Sequence, residues 1–238
     1  MSALPGVKAL VFDTFGTVVD WRNGIARDAR VFLARHKRED VDPLAFADAW
    51  RRRYQPAMEA VRSGARPFTR LDVLHRENLD ALLAEHGITA NEADRDWLNR
   101  AWHRLDPWPD AIPGLLRLRA KHFIAPLSNG NILLLANMAK RAGIPWDAIL
   151  GAEPVQAYKP QPEAYTRTAE ILALAPHDVA LVASHNNDLA AARRAGLRTA
   201  FVLRATEHGP GQTTDTRAEA DWDAIAGSFE ALADQLGC

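Results

Sequence analysis

Asp13 ends the apolar run Val11-Phe12-Asp13, and Phe15 stands two residues later where a second acid could have stood. A carboxylate in this place can act as a nucleophile, oriented by backbone N–H groups of the loop and by the Thr17 hydroxyl. A turn aspartate that bonds only its own backbone is the plainer alternative. Three later segments carry comparable groups. Pro126-Leu127-Ser128-Asn129-Gly130-Asn131 offers donors to a carboxylate or phosphate, with Asn131 suited to cap the next helix. Lys159 lies between Tyr158 and Pro160, just before a helix that Pro162 can begin. Such a cation can neutralise a carboxylate nucleophile and a bound anion, and Tyr165 can reach back toward it. Ser184-His185-Asn186-Asn187-Asp188 leads from a strand into a helix, where Asp188 also suits a first-turn acid.

The elements that position these groups follow from the apolar pattern. Short β-rich runs recur at 8–13, 122–129, 147–153, 178–184 and 198–203, each followed by a helical pattern. Continuous apolar strands separated by helices predict a parallel sheet covered on both faces. Ligands of such sheets bind outside the carboxyl ends of the strands, which directs Asp13, Ser128-Asn129 and Ser184-His185 to one crevice. Residues 21–108 differ, being helical almost throughout, with Leu71, Leu74, Leu79, Leu82 and Leu83 at helix-face spacing. The expected division is an α/β core of residues 1–20 and 109–238 with an inserted helical cap of residues 21–108.

Composition narrows the classes of function. The chain has 238 residues, 47% apolar and 25% charged, with a formal net charge of -1. That balance argues against a nucleic-acid footprint, and the Arg51-Arg52-Arg53 run is too short to change it. A lone Cys238 excludes intramolecular disulfides and thiolate metal clusters, and fits a reducing cytoplasm. No apolar stretch is long enough to cross a bilayer, and the N-terminus lacks the pattern of a secretion signal.

Taken in order, Asp13-Thr14-Phe15-Gly16-Thr17, Leu127-Ser128-Asn129-Gly130, Tyr158-Lys159-Pro160 and Ser184-His185-Asn186-Asn187-Asp188 resemble the haloacid dehalogenase superfamily over nearly the whole chain. The closest resemblance within it is to the type II L-2-haloacid dehalogenases, which carry an aromatic residue where phosphatases of the superfamily carry an acid. That acid protonates a leaving alcohol, whereas halide needs no proton, so Phe15 agrees with dehalogenation. The resemblance implies a Rossmann-like core under a helical cap, with Asp13 as nucleophile and Thr17 as its support. Ser128 and Asn129 would hold the substrate carboxylate and the departing halide region. Lys159 would pair with Asp13, Tyr165 would support the site, and Asp188 would help activate water. Ala49-Trp50-Arg51 resembles the cap segment that supplies the halide arginine, which points to Arg51 with Trp50 beside it, Arg52 and Arg53 being the neighbours.

Departures from the family pattern fall late in the chain. Ala183 lacks a hydroxyl, His185 replaces a halide-side asparagine, and Asn187 replaces a tryptophan. His185 is expected on the halide side, beside Ser184. The implied activity is hydrolysis of short 2-haloalkanoic acids through an aspartyl ester, fluoroacetate included, without metal or organic cofactor. The alternatives are a magnesium-dependent phosphatase, for which Ser184 and Phe15 lack the needed acids, and an idle relative that binds a small anion. The implied partner is the small 2-haloacid alone, with no nucleic acid and no membrane; pairing into a homodimer is left open.

Overall fold

The computed structural model describes residues 2–238. Strands β1 (Ala9–Phe12) and β2 (Val19–Asp20) come first, followed by helices α1 (Trp21–Arg35), α2 (Pro43–Arg52), α3 (Tyr54–Arg62), α4 (Leu71–Glu85) and α5 (Glu92–Asn99). A 3-10 turn (Arg100–His103) leads to β3 (Asp106–Pro107). There follow α6 (Ala111–Arg119), β4 (Phe123–Pro126), α7 (Ile132–Ala142), α8 (Ala152–Val155) and α9 (Pro162–Ile171). The chain ends with β5 (Val179–Ala183), α10 (Asn186–Arg194), β6 (Arg198–Val202), β7 (Ala224–Ala226) and α11 (Phe229–Leu236).

The main sheet is parallel, in the order β4-β1-β5-β6-β7. Alternate residues of its central strands enter different cores. Leu10, Phe12, Ala180 and Val182 pack into one, while Ala9, Val11, Val179 and Leu181 pack into the other. This explains why the strands read as unbroken apolar runs: both faces are covered by helices. After β1 the chain reaches β4 on one side and β5 on the other, so the crevice at its carboxyl end is a topological switch point.

The insertion between β1 and β4 is helical because its segments carry start signals. Asp20 accepts from the Asn23 N–H to cap α1, Asp42 caps α2 with Pro43 in the first turn, and Asn91 caps α5. Its interior is aromatic: Trp102 lies near Trp50, stacks on His75, and meets Phe15 of the core edge-on. The two crossings into this insertion pair with each other. Val19 lies opposite Pro107 and Asp20 opposite Asp106, a two-stranded antiparallel ribbon at the base of the helices.

Two local expectations need correction, and one short strand was not foreseen. The run 147–153 is not a strand. The Asp147 carboxylate accepts the Ile124 N–H that a neighbouring strand would have used, Gly151 turns the chain at φ 126°, and Ala152 begins α8. The short β7 had too few residues for its pattern to stand out. Asn131 precedes α7, but its side chain does not cap that helix. Instead its amide bonds Asp72 of α4 through both side-chain atoms, and Glu153 accepts the free Ile132 N–H. The residue ties the insertion to the core.

Candidate active site

Asp13 follows β1 directly, and its N–H donates to Val182 O of β5, which holds the residue at the end of the sheet. One carboxylate oxygen, Oδ1, accepts from Lys159 Nζ at 2.8 Å. The other, Oδ2, accepts from Thr17 Oγ at 2.7 Å and lies 3.0 Å from His185 Nδ1. Burial alone would raise this carboxyl, but the Lys159 ammonium and the His185 imidazole outweigh it and hold the group well below the usual carboxylate range. Asp13 is therefore an anion that is desolvated yet kept charged.

Lys159 is fixed by its own backbone, whose N–H donates to Asn129 Oδ1 at 2.8 Å. Its ammonium also bonds the Asp188 carboxylate, which accepts from the Tyr165 hydroxyl at 2.6 Å. Burial opposes the lysine's charge, while Asp13 and Asp188 more than compensate and raise its pKa above the ordinary value. Because Asn129 Oδ1 is occupied by Lys159, the amide nitrogen is the end left to donate into the cavity. Ser128 and Ser184 lie beneath this surface. Ser128 Oγ accepts from Gly130 N–H, and Ser184 Oγ is 3.0 Å from the Thr17 hydroxyl.

A cavity of about 1050 Å³ opens above Asp13 between the sheet end and the helical insertion. Asp13, Phe15, Asn129, Lys159, His185 and Asp188 line it, with Tyr165 and Asn187. From the other side come Trp21, Arg51, Arg52 and Tyr54. Arg51 lies over the Tyr54 ring at 4.1 Å and the Trp21 ring at 5.2 Å, and its Nη1 is buried without a hydrogen-bond partner. A partly buried guanidinium held by aromatic faces with a donor unspent is suited to receive an anion. Arg53 turns away to Glu85 and to Ala49 O. Trp50 does not reach the cavity: it is fully buried, and its indole N–H donates to His75 O at 3.0 Å.

His185 departs from the expected halide-side place. Its Nδ1 meets Asp13, and its Nε2 is 2.9 Å from Glu207 Oε2, so neither ring nitrogen is left for a leaving group. Burial would discharge the ring, but Glu207 and then Asp13 raise its pKa well above 6.5. Glu207 is itself 1% exposed and remains an anion because the imidazolium outweighs its burial. Its second oxygen, Oε1, accepts the Trp21 Nε1–H at 3.0 Å. An added Cβ on Gly16 would lie 2.0 Å from that oxygen, so the glycine makes room for Glu207. Sequence reasoning overlooked this acid. The rule that drew attention to Asp13 and Ser184 also applied to the run 198–203, which leads to Arg204 and Glu207 in the same way.

A profile of haloacid dehalogenase-like hydrolases matches residues 7–196. The chain belongs to that family. A solved defluorinating L-2-haloacid dehalogenase is 54% identical, with a TM-score of 0.96 over 98% of both chains. A second solved L-2-haloacid dehalogenase is 44% identical, with a TM-score of 0.93 over 97% of this chain and 99% of that one. A curated (S)-2-haloacid dehalogenase 4A of Burkholderia cepacia is 29% identical over 201 residues, 83% of this chain and 84% of its own.

Within this haloacid dehalogenase-like hydrolase, Asp13 and Asp188 are already bridged by the Lys159 ammonium. Among the described residues no group of three or more His, Cys, Asp or Glu is placed to hold a metal ion. No helix among the described residues is long and apolar enough to cross a membrane.

Proposed function

We propose that the protein hydrolyses short 2-haloalkanoic acids, fluoroacetate among them, to 2-hydroxy acids. The observation that carries this reading is a charged, desolvated Asp13 with Phe15 beside it and an unpaired Arg51 facing the same cavity. The relatives described as L-2-haloacid dehalogenases, one of them as defluorinating, support it.

The substrate carboxylate lies against the free amide nitrogen of Asn129, and the halogen points toward Arg51. One oxygen of Asp13 attacks the halogen-bearing carbon. A C–O bond forms, the C–X electron pair leaves with the halide, and the Arg51 guanidinium stabilises the charge that develops there. A single in-line displacement inverts a chiral carbon.

Ester formation removes the negative charge of Asp13, one of the two groups that keep His185 protonated. The imidazole then releases its proton more readily and becomes a base at the step that needs one. His185 gives its proton to solvent, and the neutral imidazole then takes a proton from water as it attacks the Asp13 ester carbonyl. It returns that proton to the departing alkoxide to give the 2-hydroxy acid, and takes the remaining proton of the Asp13 carboxyl as the carboxylate re-forms. Glu207 keeps the ring in place and stabilises its charge. Lys159 and Thr17 hold the Asp13 carboxyl through both steps.

The test incubates the protein with chloroacetate, fluoroacetate, both enantiomers of 2-chloropropionate and a phosphate ester, with and without chelator. Halide release that matches hydroxy acid formation, ignores the chelator and prefers the L enantiomer is expected. Magnesium-dependent phosphate release without halide would overturn the reading.

A further inference from the structure

We propose that Trp21 is a positioning residue for hydrolysis of the ester, acting through Glu207 and His185. The inference rests on the dehalogenase reading above and deepens it. Trp21 is the first residue of α1, immediately after the β2 crossing, and is 1% exposed. Its indole N–H can only donate, and its acceptor is Glu207 Oε1 at 3.0 Å. The other Glu207 oxygen holds His185 Nε2 at 2.9 Å, and His185 Nδ1 meets Asp13 at 3.0 Å. A continuous chain of buried or partly buried hydrogen bonds thus runs from the first residue of the helical insertion to the nucleophile.

The orientation of the Glu207 carboxylate about its own axis is set by what each oxygen bonds. The Trp21 N–H fixes one oxygen and thereby aims the other at the imidazole. It also draws on the carboxylate's charge, so that Glu207 does not hold the imidazolium too tightly after Asp13 has been esterified. His185 faces Asp13 from the loop after β1 and Glu207 from the loop after β6. Glu207 in turn faces Trp21, the His208 ring at 3.6 Å and the more distant Arg51. Trp21 alone among these brings a neutral donor from the insertion. Its ring separately packs near Arg51 and Trp102, so shape and donor must be tested apart.

The experiment replaces Trp21 with benzothienylalanine, which keeps the indole shape with sulfur in place of the N–H, and in parallel makes Trp21→Phe. Chloroacetate single turnovers are followed by halide release for ester formation and by intact-protein mass for ester decay. In the benzothienylalanine protein, which keeps the ring that packs on Arg51, ester formation should stay within roughly threefold of wild type, whereas Trp21→Phe, which loses part of that ring, should slow ester formation as well. Ester decay should slow about tenfold, the effect of a lost hydrogen bond to a charged group, so that the ester accumulates. The rising limb of the pH profile for ester decay should move to higher pH, because a less neutralised Glu207 keeps His185 protonated longer. In the isostere, unchanged ester decay, an equal loss in both steps, or an unmoved limb would overturn the assignment. Failure of wild type to release halide would instead refute the dehalogenase reading.

Discussion

Replacing Lys159 with methionine should give a protein that gains stability relative to wild type as pH falls. In the native protein the ammonium touches Asp13 and Asp188, and all three groups are buried. Removing one partner of a buried ion pair costs about 3–5 kcal/mol because the remaining charge loses its compensation. For a chain of this size that lowers Tm by roughly 6–20 °C at neutral pH. In wild type the Asp13 pKa is depressed, so its contribution is present above the unfolded value and is lost as pH falls through the folded one. The Lys159 pKa is raised, so its contribution is present below the unfolded value and fades only as pH rises through the folded one.

Without the ammonium, two carboxylates share a site with little water, and the folded variant binds a proton more tightly than the unfolded chain. Stability should then rise as pH falls, by at most about 1.4 kcal/mol per pH unit for one proton. Between pH 7.5 and 5.5 a gain of about 1–2 kcal/mol, or roughly 3–6 °C in Tm, is expected relative to wild type. The difference between the proteins is the quantity to read, because other groups titrate in both. His75, for one, is pushed down to about 3 by burial, and its contribution fades in both proteins as pH falls below its unfolded value. Calorimetric Tm curves of the two proteins between pH 5 and 8 provide the assay. A constant offset, or an offset that widens toward acid pH, would refute the reasoning.

Asp13→Asn should abolish halide release, since a neutral amide is a poor nucleophile, and repeated wild-type turnovers in oxygen-18 water should label the Asp13 carboxylate, as read by peptide mass. Gly16→Ala should leave a folded protein by circular dichroism but slow chloroacetate turnover roughly tenfold or more, because the new Cβ displaces Glu207 and φ is +92°. Phe15→Asp should not produce a magnesium-dependent phosphatase, and it should lose roughly 3 kcal/mol or more in urea unfolding by burying a carboxylate against Trp102. Trp50→Phe should leave the KM for chloroacetate nearly unchanged while lowering stability by about 1 kcal/mol, since the lost hydrogen bond is to His75 O inside the helical insertion.

Local pattern was enough to read the sheet and its direction in the sequence. β1 and β5 are continuous apolar runs because both of their faces are buried, and a strand with that pattern has few other places to go. The crevice followed from where those runs end in polar residues. The run 147–153 misled for a reason no window on the sequence contains: a carboxylate of its own, Asp147, competes for the backbone N–H of the neighbouring strand. Family membership was legible because Asp13, Ser128-Asn129, Lys159 and Asp188 come from segments that each follow a regular element, so their order survives as a motif.

Other features were decided by the tertiary structure. Of the consecutive arginines, side-chain direction on one helix turn separates Arg51 and Arg52, which line the cavity, from Arg53, which faces Glu85. Trp50 sits one residue from Arg51, yet the helical rotation sends it into the interior. His185 was read as a halide-side group because its partner could not be seen: Glu207 lies 22 residues away, in a loop rich in glycine and threonine. A lone acid in such a loop has the composition of a solvated turn, and only closure of the sheet brings it under Trp21 and against Gly16. Residue types and their order therefore located Asp13, the proposed nucleophile, with Thr17 and Lys159 beside it and the sheet beneath them. Which groups share a proton or a charge depends on distances of about 3 Å between remote segments, and only the folded chain sets those.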